Sequence, residues 1–434
     1  MILILAERLT PRLKYAFDLI FGTILKTDIR LITDEQEFIE SPLPKFKYGE
    51  SPTGENILFF KAVRLLFERG ISKQEVTYGS DTSFPRIFLV NEGSMSFDPF
   101  AASFYLVTRY EEYLPHLKDR YGRYEAHQSI AYKRSFLERP VVNIWATQIK
   151  RILLEKFPHL SFGISTFQYQ TTIDIDNAYA YKHKGFPRGL YPYAEPIIKG
   201  QFAKVMERAA VQLGWQKDPF DSYDKILGIH NQYQLIPVFF ILLGNYAQYD
   251  KNHSHKNIAM RKLIRRLHAA GKIGIHPSYA TEEHPEMMDI EKKRLEDIIS
   301  EKVTKSRQHF IKLQFPQTYE RLLAAGVEED YSMGYPEEVG YRAGIATPFR
   351  FYHLGKEEVT SLKIFPFVAM DVTLKKYLFV RSKDVPDFIS PGIEESKSLG
   401  GYYSTIFHNE SIGGKGLWKN WGGVYENMIR KIIE

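Results

Sequence analysis

The chain has 434 residues, too long for one ordinary hydrophobic core, so two domains are expected. A composition of 44% hydrophobic and 25% charged residues is that of a globular protein, and a formal charge of +6, scattered along the chain, argues against nucleic acid as the main partner. The absence of cysteine excludes disulfides, zinc–thiolate sites and thiol nucleophiles, which leaves histidine and carboxylate to hold any metal.

The opening MILILAERLT is apolar for only five residues and lacks a basic leader and a cleavage site. It reads as a first strand, not a secretory signal. No apolar run approaches ~18 residues, so no membrane span is expected, and with Met1 as the natural start the chain reads as cytoplasmic. Residues 10–20 have helical spacing and 28–33 that of a strand. Pro42, Pro44, Gly49, Pro52 and Gly54 mark a loop. Residues 55–69 are amphipathic with a helical period, and 84–90 look like a strand. Asp98-Pro99 opens a helix to Leu114. A turn-rich stretch follows to 139, and Pro140 starts a helix that Pro158 ends. Arg109, Glu111 and Glu112 read as a charged helical face. Residues 1–160 thus suggest a smaller α/β domain that packs on, or shields, the rest.

From residue 161 to 434 strands and helices alternate. Strands are expected at 167–175, 237–242, 272–276, 306–313, 331–333, 362–368 and 402–408. Helices are expected at 201–213, 223–234, 255–270, 285–303 and 317–325, and a long Gly/Pro-rich loop at 185–196. This alternation predicts a parallel α/β barrel or a doubly wound sheet. In a barrel, chemistry gathers at the carboxyl ends of the strands.

Several of these ends carry metal-type or acid–base residues. TTIDID ends in Asp174 and Asp176, two apart and therefore on one face of a strand. Two carboxylates so placed need a cation, strong donors or a shared proton between them. IGIHPSY ends at His276, SRQHFIKL carries Arg307 and His309, and STIFHNE ends its strand at His408. His183, His253, His255, His268 and His284 fall away from strand ends and read as structural or solvated. A His/Asp set suits zinc or another first-row divalent ion. Such an ion, a carboxylate base and a histidine acid together describe hydrolysis of an amide or ester.

These motifs resemble those of the polysaccharide deacetylases, the NodB-homology metal-dependent carbohydrate esterases. The resemblance implies a distorted (β/α) barrel, a carbohydrate substrate and a divalent metal, zinc first among them. It makes Asp174 the base, Asp176 and His276 metal ligands and His408 the general acid; His309, on the face of Arg307, is the candidate to replace the family's missing ligand. Arg307 orients the base, and Arg342 in GYRAGIATPFRFYHL is its rival for that role. Two departures stand out. The family's aspartates are adjacent, whereas these are spaced by Ile175, and Ala280 occupies the place of the family's second histidine. Tyr181, Tyr279 and Trp418 are candidates to border the sugar. FDPFAASFYLVTRYEEYL, GRYEAHQSIAYKRSFLERP and VVNIWA are similar to an uncharacterised domain that precedes a divergent bacterial branch of the family. Two other readings remain open: a hydrolase of cyclic amides on the same barrel, and a decayed barrel serving as a carbohydrate-binding or scaffold protein. No oligomeric state follows from the sequence.

Overall fold

The computed structural model describes residues 1–54, 56–79, 81, 83–184, 198–199 and 201–434. The loop expected at 185–196 lies outside the described residues. A four-stranded, all-parallel sheet forms first, from β1 (Ile2–Ala6), β2 (Ile29–Ile32), β3 (Lys45–Gly49) and β4 (Leu58–Lys61), in the order β2-β1-β3-β4. β1 is apolar throughout because a central strand of a parallel sheet is covered on both faces.

Four expectations here are corrected. The proline-marked loop contains β3, whose KFKYG alternation was hidden between turn residues. The helical spacing over 55–69 gives β4 and a single 3-10 turn, Arg64–Phe67. Residues 84–90 make only isolated bridges, with Phe88 held at φ 61°. The helix from Pro99 is capped by Asp98, which accepts from the amides of Phe100 and Ala101, but it stops at Val107. Left-handed Arg109 then turns the chain into a 3-10 segment, Tyr110–Tyr113. The helix Val141–Lys156 forms as predicted, with Trp145, Ile149 and Leu153 buried.

The second sheet has nine strands: β5 (Gln168–Ile175), β6 (Val238–Ile241), β7 (Lys272–Ile275), β8 (Lys305–Ser306), β9 (Glu329–Met333), β10 (Phe349–His353), β11 (Glu358–Pro366), β12 (Ala369–Met370) and β13 (Tyr402–His408). Their order is β10-β11-β9-β8-β7-β6-β5-β13-β12, parallel except for the β10/β11 pair. Only Phe367 and Val368 separate β11, near one edge, from β12 at the other. Three residue steps span at most roughly 10 Å, so the two sides of the sheet must meet. Val368 donates its amide to Ser404 at 2.9 Å, and the Phe365 ring lies 5.7 Å from that of Tyr402. The sheet therefore curls like a distorted barrel in a mixed α/β fold, and its parallel strands send their carboxyl ends to one rim.

The expected strand 306–313 is nearly all turn. β8 has two residues, and a 3-10 turn His309–Ile311 follows, with Phe310 left-handed at φ 60°. The sequence reading also omitted β10, β12 and the helices Val385–Ser398 and Val424–Ile433. Each of the two predicted segments contains one sheet, yet one continuous buried cluster runs from Ile2 to Ile432. No helix of the described residues is long and apolar enough to cross a membrane.

Candidate functional site

Register places the acid–base residues side by side. His408 pairs with Asp174 across β13 and β5, and Asp174 pairs in turn with Phe240 on β6. His276 follows β7 and donates its amide to Ile241. Arg307 and His309 follow β8 in the same way, with amides bound to Ile275 and Pro277. Gly274 on β7 makes room for the Phe240 ring, which a Cβ there would meet at 2.5 Å. The Arg307 guanidinium sits 4.7 Å over that ring.

Asp176 is the hub. Its oxygens lie 3.1 Å from His276 Nε2, 3.4 Å from His309 Nε2 and 3.6 Å from His408 Nε2. One ligand atom each from Asp176, His276 and His309 falls within 4.8 Å of the other two. The far nitrogens of these rings are all engaged. His276 Nδ1 meets the Arg307 carbonyl at 2.6 Å, His309 Nδ1 meets Asp250 Oδ1 at 2.9 Å, and His408 Nδ1 meets Asp371 Oδ1 at 2.8 Å. A carbonyl or carboxylate partner fixes a proton on Nδ1 and turns Nε2 towards Asp176. Each Nε2 then meets the carboxylate either as a protonated donor or, once its proton is displaced, across a cation. Asp176 Oδ1 is buried without a hydrogen bond, as such a ligand would be. The donor set therefore fits a divalent ion.

The charges are strongly coupled. Burial disfavours ionised Asp176, but His309, His276 and His408 outweigh it and hold the carboxyl well below its usual range. Burial alone would pull His309 down; Asp176 and Asp250 raise it to about 9. His408 is likewise lifted against burial to about 10, chiefly by Asp371. A dication at the centre competes with these protons and reverses that balance. Asp174, 2% exposed, has Oδ1 3.6 Å from Arg307 Nη1, and the fully buried guanidinium makes no hydrogen bond among the described residues.

The site opens into a cavity of about 440 Å³ lined by Asp174, Asp176, His276, His309 and His408. Arg342 is elsewhere: its guanidinium binds Glu112 and the Gly334 carbonyl, so the fold does not bring it to Asp174. Trp418 is buried against Trp421, and neither it nor Tyr181 nor Tyr279 lines the cavity. Sequence reasoning missed four residues here. Asp371 follows the apolar run FPFVAM, a strand-end signal of the kind used elsewhere. Asp250 lies in the polar loop YDKNHSH and gave no signal. Arg120 and Tyr121 come from the N-terminal region, which offered no catalytic cluster.

Residues 2–158 match a family of unknown function, DUF7033. No curated protein matches the sequence. Among solved structures, the chain is similar to a candidate polysaccharide deacetylase from Mycobacterium smegmatis, at 15% identity and a TM-score of 0.38, over 63% of this chain and 86% of that one. It is similar to the polysaccharide deacetylase Bc1974 from Bacillus cereus, at 10% identity and a TM-score of 0.30, over 61% and 85%. A mutant CE4 family pseudoenzyme with restored activity matches at 9% identity and a TM-score of 0.28, over 62% and 63%. At these scores the likenesses carry no argument about the site, and the chemistry rests on its own residues.

Proposed function

We propose that this chain is a metal-dependent hydrolase that removes an N-acetyl group from a sugar or polysaccharide, with Asp176, His276 and His309 holding the ion. The supporting observation is the convergence of the Nε2 atoms of two imidazoles on Asp176, each ring fixed from behind by an acceptor. A divalent ion held there, zinc by its donor set, supplies Lewis acidity to a carbonyl and lowers the pKa of water. Asp174 is the base: it takes the proton of the attacking water, and its Oδ1 lies 3.6 Å from Arg307 Nη1. The carbon–nitrogen bond breaks as His408 gives its Nε2 proton to the departing amine, leaving acetate and a free amino sugar. Asp371 holds the His408 ring from Nδ1 and the backbone from its amide, both at 2.8 Å. The decayed-barrel reading leans on Ala280, and His309 supplies a donor that Ala280 does not.

The test is acetate release from N-acetylated glucosamine oligomers by the zinc-loaded full chain. Asp174→Asn lowers kcat/KM by at least about a hundredfold while zinc content is retained. Unchanged turnover in that variant removes Asp174 as the base. One bound zinc per chain with no acetate from any N-acetylated sugar overturns the deacetylase reading and redirects the search to cyclic amides.

A further inference from the structure

The N-terminal sheet has the order β2-β1-β3-β4, so the chain leaves β1 for one neighbour and returns later to its other side. The connections also take opposite faces. Ile2, Ile4 and Ala6 of β1 lie in one cluster with Leu13 and Phe17 of the helix Pro11–Phe17. Leu3 and Leu5 lie in another, with Phe38 of the helix Glu35–Glu40. The segment after β3 goes to this second face. Lys47 donates to the Thr53 hydroxyl at 2.7 Å, and that hydroxyl donates to Glu35 at 2.9 Å. The exits of β1 and β3 therefore diverge. In an open parallel sheet a crevice forms at such a point, outside the carboxyl ends of the strands, and ligands bind there.

A cavity of about 720 Å³ occupies that place. Glu7, the first residue after β1, and Glu50, the first after β3, both line it. The Glu7 carboxylate accepts from the Glu50 amide at 2.7 Å, and Gly49 leaves it room, since a Cβ there would meet Glu7 Oε1 at 2.8 Å. The facing wall is the 3-10 turn Arg64–Phe67 and the residues after it, which bring Arg64, Glu68 and Arg69. Arg8 donates to the Phe67 carbonyl and so joins the two walls. Exposed arginines and glutamates are ordinarily solvated surface groups. Here three of each share one lining at the point where the topology opens a crevice, and none of the six forms an ion pair among the described residues. The cavity keeps charges of both signs apart.

A ligand that fits such a lining presents an anion to the guanidiniums and hydrogen-bond donors to the carboxylates. The guanidinium fork matches phosphate, and hydroxyls of a sugar donate to carboxylate oxygens. The turn after β1, ERLTP, contains no glycine, so no glycine-rich backbone cradle is available and side chains must hold the phosphate. We infer that this crevice binds a phosphorylated sugar, free or as the ribose phosphate of a nucleotide, with Arg64 and Arg69 on the phosphate and Glu7 and Glu50 on the hydroxyls. The inference gives residues 2–158 a binding role of their own and does not rest on the deacetylase reading.

The test is isothermal titration of the zinc-loaded full chain with ribose 5-phosphate, ribose, inorganic phosphate and adenosine monophosphate. Ribose 5-phosphate is expected to bind at least roughly tenfold more tightly than ribose or inorganic phosphate. Arg64→Gln combined with Arg69→Gln removes its advantage over ribose, and Glu50→Gln removes its advantage over inorganic phosphate. Lys133→Gln, outside the cavity, changes neither. Tighter binding of adenosine monophosphate than of ribose 5-phosphate assigns the crevice to a nucleotide, and weaker binding assigns it to a free sugar phosphate. Inorganic phosphate bound as tightly as ribose 5-phosphate, no binding of either phosphate ester, or an advantage that survives these substitutions overturns the proposal. None of the probes carries an N-acetyl group, so a failure of the deacetylase reading leaves the result unaffected.

Discussion

Asp250 is the residue through which His309 is held at the site. Its Oδ1 accepts from His309 Nδ1 at 2.9 Å and from the Tyr279 amide at 2.9 Å. Tyr279 precedes Ala280, so the loop in which a second histidine was expected is tied to the carboxylate that orients its proposed substitute. Outer carboxylates of this kind fix the tautomer and raise the basicity of a ligand imidazole. Asp250→Asn is therefore expected to weaken zinc binding about ten- to hundredfold, read by competition with a chromophoric chelator. Unchanged affinity would place His309 outside the metal shell. The contrast with Arg342 shows what sequence can supply at this scale. Both arginines stood at plausible positions, but the strand-end rule does not say which one faces the barrel interior. Burial of Glu112 settled that, because a buried carboxylate draws a guanidinium to itself. Asp174, Asp176, His276 and His408 were legible because each lies at the carboxyl end of a strand that the sequence displays.

At the scale of elements, the regular segments were legible and the irregular ones were not. Helices such as Tyr223–Gln232 and Ile258–Ala270 display their period, whereas β8 is two residues that pair only because β7 and β9 flank it. The helix Tyr223–Gln232 also carries a buried polar link. His230 Nε2 meets the Tyr425 hydroxyl at 2.5 Å, and that hydroxyl also meets Thr171 on β5. The final helix, Val424–Ile433, is thus joined to the barrel through a histidine that burial pulls down to about 4. Its folded pKa lies below the unfolded 6.5, so its contribution is fully present above pH 6.5 and is lost as pH falls towards 4. Each tenfold loss of proton affinity on folding corresponds to about 1.4 kcal/mol. Asp98, raised by burial to about 6, works in the opposite sense over the same range, so a comparison with a variant isolates His230. Urea unfolding at pH 7 and pH 4.5 should show a smaller acid loss in His230→Gln than in the wild type. Equal losses would mean that the ring gains its proton without leaving its pocket.

Over the whole molecule, the two sheets are held together by more than apolar packing. Arg12, fully buried, binds Glu357 at the turn between β10 and β11. Glu112 lies between two buried arginines, one from each part of the chain. Its Oε1 accepts from Arg109 Nε at 2.8 Å and from Arg342 Nε at 2.9 Å, and its Oε2 accepts from Arg342 Nη2. Arg109 also reaches the Arg342 carbonyl and the Tyr335 hydroxyl. Burial opposes the charge on Glu112, but Arg342 and Arg109 outweigh it and lower its pKa. A neutral side chain there would leave Arg109 with Glu111 and the buried Arg342 guanidinium with no carboxylate partner among the described residues. Breaking a buried ion pair from one side typically costs about 3–5 kcal/mol. Glu112→Gln is expected to destabilise the fold by about that amount in urea unfolding. Because one apolar core runs through both sheets, the loss should appear as an earlier midpoint of a single transition, followed by tryptophan fluorescence and by far-ultraviolet circular dichroism. Trp145 reports on the N-terminal region, and Trp418 and Trp421 on the barrel. Two separated transitions in the variant would mean that the parts fold independently and that Glu112 only docks them.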